Sequence, residues 1–323
     1  MWRALAVIAV TLSLAPVLFA EKLHLEKTIS LPGDVVVRFT AISPAGTFVA
    51  GICRDQKLRL WDASSGSLSR TLDLAGEKLT TARFSDNGQL LALGGAGGRV
   101  RIWELPSATL KLDFSAPNSI NALTISSDRK LLAAAPLEEG AEIWDLSSAK
   151  QMAKMRAPFS GTSALAFSPD GRWLATADGD TSIRLYDART GMLRNSTDDL
   201  LLESFAIVFS TDGKYLLTGG ADKVINVIDA SNGKVLRALA KQDDALLDLR
   251  QSRDGKLLAA AYVNADDPSK PAPVVIWDLE TRSPRTRILE PGVAPNGGEF
   301  LSDGRLLMTS GSEKELKIWS VGP

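Results

Sequence analysis

The chain carries seven short apolar segments, each ending in an aromatic or aliphatic residue that an acid usually follows. They read LRLWD (58–62), VRIWE (100–104), AEIWD (141–145), IRLYD (183–187), INVID (225–229), VVIWD (274–278) and LKIWS (316–320). Their fourth residues are 42, 41, 42, 42, 49 and 42 positions apart. Short apolar runs of this kind are typical of β-strands, and a constant period of this length indicates a repeat architecture.

A second marker keeps the same period. It is a turn rich in Pro, Asp, Asn and Gly, residues that each favour turns for their own physical reason. The seven copies are ISPAG (42–46), FSDNG (84–88), ISSDR (125–129), FSPDG (167–171), FSTDG (209–213), QSRDG (251–255) and FLSDG (300–304). An apolar segment lies between this turn and the aromatic ending, and a more polar segment follows the ending. Each unit therefore predicts four short strands in an antiparallel meander, with no room for helices.

The period near 42, the turn SPDG and the ending WD resemble the WD40 repeat family. The resemblance covers residues 23–320 and implies an all-β fold: a seven-bladed β-propeller of four-stranded antiparallel blades around a central channel. The seventh unit stops after its third strand, whereas residues 23–29 resemble a fourth strand that lacks a unit. We therefore expect residues 21–323 to form a single domain in which residues 23–29 complete the last blade and close the ring.

The aromatic positions of the repeat are predicted to be structural, wedged between blades. They are Trp61, Trp103, Trp144, Tyr186, Trp277 and Trp319. Many WD40 repeats also have a histidine that joins an aspartate in a buried network, but no repeat of this chain contains histidine. The aspartate position is kept as Asp55, Asp180 and Asp222, where we expect it to cap the turn between second and third strands.

Residues 1–20 differ in character from the repeats. Arg3 precedes an apolar run from Ala4 to Phe19, and a small residue, Ala20, ends the segment. This order predicts a signal peptide that is cleaved after Ala20, and hence a secreted or periplasmic protein. The alternative is an uncleaved N-terminal anchor, because Leu18 stands where cleavage sites prefer a small residue. We expect no membrane span after the signal is removed, since no other stretch is long and apolar enough.

Charge and composition argue against several classes of function. The formal net charge of −1 provides no general attraction to nucleic acid. A single histidine, His24, and a single cysteine, Cys53, leave serine and thiol nucleophiles without an evident base and do not make up a zinc site. Every tryptophan outside the signal has a place in the repeat. We therefore predict no catalytic residue, no metal and no cofactor.

The segment DGDTSIRLYD (178–187) contains aspartates that suggest a metal loop or a carboxylate pair. An EF-hand would need a glycine at Ile183 and an acid at Arg189, so that motif fails. The repeat accounts for Asp180 and Asp187, as it does for Asp170 in the preceding turn, which leaves Asp178. Its counterparts in other units are Cys53, Gly95 and Gly220. We predict that Asp178 is a solvated turn residue.

The function that these observations favour is a non-catalytic protein-interaction platform, acting as a monomer on an unidentified protein or peptide. Contacts are expected from the links between blades and from loops between second and third strands, including the seven-residue excess in loop 262–273. The candidate contact residues are Arg38, Lys78, Asn118, Phe159, Phe205, Asp244, Asp266, Asp267 and Lys270. The alternatives are a secreted hydrolase or lactonase-like enzyme that uses channel carboxylates, and a small-ligand or glycan binder. Three or more titratable side chains gathered in a channel pocket favour the enzyme.

Overall fold

The computed structural model describes residues 23–31, 35–74, 76–156, 161–197, 200–264, 267, 273–289, 297–301, 303–311 and 315–321. These residues form 28 strands in seven antiparallel sheets of four strands each. The predicted fold class, a seven-bladed all-β propeller, is confirmed. Among the residues described, no helix has the length and apolar character needed to cross a bilayer.

The first strand of every blade faces the ring centre. The first strands are β2 (Val37–Ile42), β6 (Leu79–Phe84), β10 (Ile120–Ile125), β14 (Thr162–Phe167), β18 (Ser204–Phe209), β22 (Ala245–Gln251) and β26 (Gly297–Phe300). The second strands are β3 (Phe48–Cys53), β7 (Leu90–Gly95), β11 (Leu131–Pro136), β15 (Trp173–Asp178), β19 (Tyr215–Gly220), β23 (Leu257–Val263) and β27 (Leu306–Gly311). First strands contact one another in a closed cycle, from β2 round to β26 and back to β2.

The third and fourth strands lie farther out. The third strands are β4 (Lys57–Asp62), β8 (Arg99–Glu104), β12 (Glu142–Asp145), β16 (Ile183–Asp187), β20 (Ile225–Asp229), β24 (Val274–Asp278) and β28 (Glu315–Val321). The fourth strands are β5 (Leu68–Asp73), β9 (Thr109–Ser115), β13 (Lys150–Lys154), β17 (Leu193–Thr197), β21 (Val235–Ala238), β25 (Ser283–Ile288) and β1 (Leu23–Ser30). Blades are numbered one to seven in the order of their first strands.

The second strands show why this sequence folds as a propeller. Each is covered on both faces by neighbouring blades, and β7 is buried along its whole length. Such a strand is a continuous apolar run rather than an alternating one, as in LLALGG. The core is therefore divided among blade interfaces: one cluster joins Leu58 and Leu60 of blade one to Leu91 and Leu93 of blade two. Each blade depends on its neighbours for burial of its apolar surface.

The aromatic repeat positions lie at these interfaces. Trp61, Tyr186 and Trp277 are buried, whereas Trp103, Trp144 and Trp319 are partly buried. Trp61 belongs to a cluster that also contains Val37 of blade one and Leu316 of blade seven.

The ring is closed by β1, the fourth strand of blade seven. It pairs antiparallel with β28, so that Leu25 lies opposite Trp319 and Ile29 opposite Leu316. Glu26 adds a hydrogen bond from Ser320 and an ion pair with Arg305 at 3.3 Å. The predicted closure by the N-terminal strand is confirmed. The last blade is thus built from both parts of the chain, which ties blade seven to blade one.

Candidate functional site: loop face and central channel

The two ends of the ring differ in the connections they carry. One end, here the loop face, holds the links between blades and the loops between second and third strands. The other, the turn face, holds the tight turns between first and second and between third and fourth strands. Loops on a rigid scaffold are where binding residues concentrate. The loop face is therefore where a binding site is sought first.

Five of the candidate contact residues are described with their side chains. Lys78 and Asn118 are exposed in links between blades, and Phe205, Asp244 and Asp267 are partly buried. The structure brings Phe205 and Asp244 to adjacent blades, five and six, and leaves Lys78 and Asn118 in another part of the ring.

The remaining candidates are not described in full. Phe159, Asp266 and Lys270 lie outside the described residues, and Arg38 lies in β2 with its side chain undescribed.

A bulge near the start of the first strand sets which side chains reach the loop face. In six blades the pairing with the second strand skips one residue there. The skipped residues are Arg38, Thr80, Asn121, Ser163, Phe205 and Leu247. A bulge re-aims the extra residue, and bulges are common beside binding sites. Thr80 shows where the side chain of the extra residue points, because its hydroxyl donates to the Ile120 carbonyl of the next blade at 2.6 Å.

Asp178 is not the solvated turn residue that the sequence predicts; that prediction is wrong. Its side chain is 1% exposed and lies opposite Thr162 at the loop-face end of blade four. Thr162 and Thr176 donate hydrogen bonds to its carboxylate at 2.7 and 3.0 Å, and Arg184 Nη1 lies 2.7 Å away. Burial raises the pKa of Asp178, and the hydrogen bonds from Thr162 and Arg184 oppose that rise. The carboxylate is part of a buried network that positions the loop.

Arg184 also pairs with Asp180 at 2.7 Å, while the Asp180 carboxylate accepts the Ser182 amide. The same turn cap occurs in blades one and five, where Asp55 accepts from the Lys57 amide and Asp222 from the Val224 amide. The aspartates thus cap the turn between second and third strands, as the repeat predicts.

The sequence does contain a signal for this network, which is a recurring arginine rather than an aspartate. Two residues before the repeat aromatic, the third strand has Arg59, Arg101 or Arg184 in three blades, and each arginine has a carboxylate partner. In blade two the partner is Glu77, which lies 3.0 Å from Arg101 and comes from the link before β6. A Cβ at Gly95, the counterpart of Asp178, would collide with Glu77. Different sequence positions therefore deliver a carboxylate to the same place.

The central channel holds a charged cluster that spans nonadjacent blades. Arg250 of blade six lies 2.6 Å from Asp248 and 3.6 Å from Glu299 of blade seven. The charge of Arg83, from the first strand of blade two, also acts on both carboxyl groups. At the adjoining turns, Arg253 of blade six donates to the Asp86 carbonyl of blade two at 3.0 Å. Together these contacts join opposite sides of the propeller.

The channel shifts the pKa values of its carboxyl groups upward. Burial raises the pKa of Asp248 to about 6, and Arg83 opposes the shift. Burial raises the pKa of Glu299 to about 8. Arg83 again opposes this rise, and the negative charge of Asp248 adds to it. Because Arg250 contacts Asp248 more closely, Asp248 is the carboxyl group that ionises first. Glu299 therefore stays protonated to a higher pH than Asp248.

This titration predicts a pH-dependent stability effect of Glu299→Gln. A carboxyl group whose folded pKa is above its unfolded value, about 4.3, destabilises the fold increasingly as pH rises through that interval. Glutamine stays neutral, so we expect equal stabilities at pH 4 and a gain of about 1–3 kcal/mol for the variant at pH 9. Urea unfolding at both pH values measures this. Glu104→Gln, at an exposed carboxyl group, should show no such trend; a gain for Glu299→Gln that is equal at both pH values contradicts the prediction.

The space beside this cluster is small. A cavity of about 20 Å³ lies between blades six and seven, lined by Asp248, Arg250 and mainly apolar groups such as Val274, Leu306 and Met308. A volume of this size accommodates about one water molecule. Among the described residues, the channel thus gathers titratable side chains beside a small, mainly apolar cavity.

Comparison with protein families identifies the repeats. The model of the family "WD domain, G-beta repeat" matches residues 26–62, 66–104, 150–187 and 202–229. These stretches fall on blades one, two, four and five, and the first begins in the closing strand β1.

Curated relatives match over parts of their length. "Small ribosomal subunit protein RACK1y" of Oryza sativa is 30% identical over 112 residues, which is 35% of this chain and 33% of that protein. "MST50-interacting protein 11" of Pyricularia oryzae is 33% identical over 100 residues, 30% of this chain and 31% of the relative. "Transducin beta-like protein 3" of Bos taurus is 26% identical over 134 residues, which is 40% of this chain and 17% of that protein. The chain thus spans about a third or less of these relatives.

Proposed function

Since the chain is a member of the WD40 repeat family, we propose that it is a non-catalytic protein-interaction platform whose binding surface is the loop face. The observation that carries the proposal is a group of large apolar side chains at that face: Leu201, Leu202, Phe205 and Leu247. Leu201 is 88% exposed, although its neighbour Leu200 is buried. Exposed apolar clusters of this kind mark interaction sites. The printed name of the Pyricularia relative, an interacting protein, is in keeping with this function.

The scaffold suits this role because ion pairs hold two of the described loops of the loop face in place. Arg184 fixes the loop of blade four through two aspartates, and Arg59 fixes that of blade one through Asp55 at 2.6 Å. Rigid loops lose little conformational entropy when a partner docks. A rigid surface with exposed apolar anchors is therefore suited to binding a folded protein or a peptide.

Export is the second part of the proposal, with residues 1–20 as a signal that is cleaved after Ala20. The order of one basic residue, an apolar run and a small residue supports it. Strand β1 begins at the turn face, because Leu23 lies opposite Val321 at the end of a third strand. The residue at which the N-terminal segment joins the propeller is therefore on the turn face, opposite the loop face. N-terminal sequencing of the mature protein should begin at Glu21; a start at Met1 contradicts the cleaved signal.

Site-specific photo-cross-linking tests the platform. A photoreactive residue replaces Leu202 on the loop face in one variant and Asn232, exposed on the turn face of the same blade, in another. Cross-linking is carried out in the envelope and extracellular fractions of the producing cell. We expect a discrete adduct from position 202 and none from position 232. Equal adducts at both positions, or none from position 202, contradict a binding role for the loop face.

A carboxylate enzyme is the second candidate, and the channel supplies the observation that favours it. Asp248 and Glu299 have different raised pKa values beside Arg83 and Arg250, a pattern seen where one carboxyl group serves as acid and another as base. The protein would be incubated with a panel of lactones and esters, in parallel with Glu299→Gln. Hydrolysis that Glu299→Gln abolishes supports the enzyme. No turnover by the unmodified protein removes this candidate.

A further inference from the structure

One sector of the loop face combines apolar and acidic groups. It consists of residues 178–184 and 220–226, the loops between second and third strands of blades four and five, and of residues 200–205 and 239–247 in the links that follow those blades. We call it the acidic sector. Its apolar part is Leu201, Leu202, Phe205 and Leu247, of which only Phe205 was a sequence-based candidate.

Equivalent backbone positions place two of these side chains side by side. Phe205 and Leu247 occupy the bulge of the first strand in blades five and six, whose first strands are in contact. They therefore stand at the same height on neighbouring blades. The bulge residues of blades two, three and four are Thr80, Asn121 and Ser163. Among the described bulges, apolar side chains are thus confined to this sector, next to the link that exposes Leu201.

The charges of the sector are unbalanced. It contains six carboxylates against three cations, a surplus of three negative charges. The carboxylates are Asp178, Asp180, Glu203, Asp222, Asp243 and Asp244, and the cations are Arg184, Lys223 and Lys241. Arg184 is engaged by two of the aspartates, and Lys223 donates to the Asp243 carbonyl at 2.7 Å. The net negative charge is therefore carried by carboxylates such as Asp243 and Asp244, which lie in the link that leads to Leu247.

The loop-face segments of blades one to three differ in both respects. Residues 53–59, 74, 76–80, 95–101, 116–121 and 136–142 contain six basic and five acidic residues. One large apolar side chain in these segments, Leu137, is strongly exposed. Among the described segments compared, the acidic and apolar character is thus found in the acidic sector, as expected for a surface that binds one kind of ligand.

We propose that the acidic sector is the docking surface for a basic amphipathic segment of a partner protein, a helical stretch with leucine-like residues on one face and Lys or Arg on the other. Apolar residues of the segment pack on Leu201, Leu202, Phe205 and Leu247, and its basic residues meet the carboxylates, including Asp243 and Asp244. This proposal rests on the loop face being the binding surface and adds to it the chemistry of the partner.

The two components of the surface have separate effects. Burial of the leucines provides most of the affinity, since apolar anchors usually dominate the binding energy. The carboxylates accelerate association with a cationic partner and disfavour anionic ones, because long-range attraction acts mainly on the association rate. Nucleic acid and anionic lipid are repelled by the same charges. Binding should weaken as salt screens the attraction.

Two synthetic peptides test the chemistry directly. One is a fluorescent 18-residue peptide of leucine and lysine at helical spacing, and the other replaces every lysine with glutamate. Binding to the mature protein is measured by fluorescence anisotropy at 50 and 300 mM salt. We expect the lysine peptide to bind at least about tenfold more tightly at 50 mM than at 300 mM salt. At 50 mM salt, the glutamate peptide should bind more weakly than the lysine peptide by a similar factor.

Variants locate the interaction. Leu201→Ser combined with Leu247→Ser should weaken binding of the lysine peptide about tenfold or more. Asp243→Asn combined with Asp244→Asn should weaken it about threefold and reduce its salt dependence. Leu110→Ser, at an exposed leucine of the outer strand β9, is the matched control and should bind as the unmodified protein does. Circular dichroism establishes that each variant is folded.

The outcomes separate this proposal from the function on which it rests. Equal binding of both peptides, no binding of the lysine peptide, or equal losses in the sector and control variants overturns the docking chemistry. If cross-linking at position 202 still yields a discrete adduct, the platform function stands and only the chemistry of its partner is wrong. If that adduct is also missing, both fail.

Discussion

Arg184→Met is expected to lower the free energy of unfolding by about 3 kcal/mol. The substitution removes the cation from Asp178 and leaves that carboxylate buried with hydrogen bonds from Thr162 and Thr176 alone. Loss of one partner from a buried ion pair is costly because the remaining charge keeps its desolvation penalty. Methionine fills most of the space of the arginine stem, so the effect arises mainly from charge. Equilibrium urea unfolding measures it.

Arg59→Met is the matched control, because Arg59 occupies the same repeat position in blade one. Its partner, Asp55, has a side chain that is 37% exposed, whereas that of Asp178 is 1% exposed. Water can solvate Asp55 once the arginine is gone, so this control should lose about 1 kcal/mol or less. Equal losses for both variants would show that burial of the carboxylate is not the cause.

A second substitution and a change of pH test the same mechanism. Asp178→Asn in the Arg184→Met background should restore at least about 1 kcal/mol, since it removes the uncompensated charge. The pKa of Asp178 is already raised, and it rises further without the arginine. The deficit of Arg184→Met should therefore be smaller at pH 5 than at pH 8, because protonation neutralises the carboxyl group as pH falls. A deficit that grows toward low pH contradicts this explanation.

The fold was predictable from sequence because two independent markers keep one period. The ending around Trp61 and the turn SPDG both recur near every 42 residues, so blade number and strand order follow from local pattern alone. Closure also followed, since residues 23–29 resemble a fourth strand and the last unit lacks one. Repetition makes the pattern predictive because each blade has the same structural problem of covering its apolar faces.

The environment of Asp178 was not predictable in the same way. Repeat comparison assigns a position by what its counterparts share, and the counterparts of Asp178 are Cys53, Gly95 and Gly220, which are small and unlike it. Its burial depends on Thr162, from another strand, and on Arg184, six residues later. A basic residue recurring two positions before the repeat aromatic was the available signal, because an arginine in a buried strand requires an acidic partner.

The channel cluster lies beyond sequence analysis for a different reason. Arg83, Asp248 and Glu299 belong to blades two, six and seven, and nothing in a linear repeat indicates which inward side chains meet across the ring. The exposed leucines of the acidic sector illustrate the same limit. Leu200, Leu201 and Leu202 are consecutive leucines, yet Leu200 is buried and Leu201 is almost fully exposed. Exposure within such a run is determined by the path of the link, which is a tertiary property.

Ile29→Asp is the substitution expected to destabilise the ring as a whole. Ile29 is buried in a cluster with Leu316 and Ile318 of blade seven and Val37 of blade one. An aspartate there places an unpaired charge in the interface that joins the first and last blades. We expect a loss of about 3–5 kcal/mol in the free energy of unfolding. Thr28→Asp is the control, because Thr28 is the adjacent residue of the same strand and is exposed.

The strands that lose protection from hydrogen exchange in Ile29→Asp test ring closure more sharply than the size of the stability loss. Because β1 holds blade seven against blade one, its detachment should remove protection from hydrogen exchange in β26–β28 and also in β2 and β3. Thr28→Asp should leave exchange in all of these strands unchanged. If Ile29→Asp increased exchange in residues 23–30 alone, β1 would be an accessory edge strand. Loss of protection on both sides of the joint instead means that the N-terminal strand transmits stability between the two ends of the repeat array, since blades without a closed neighbour expose an apolar face.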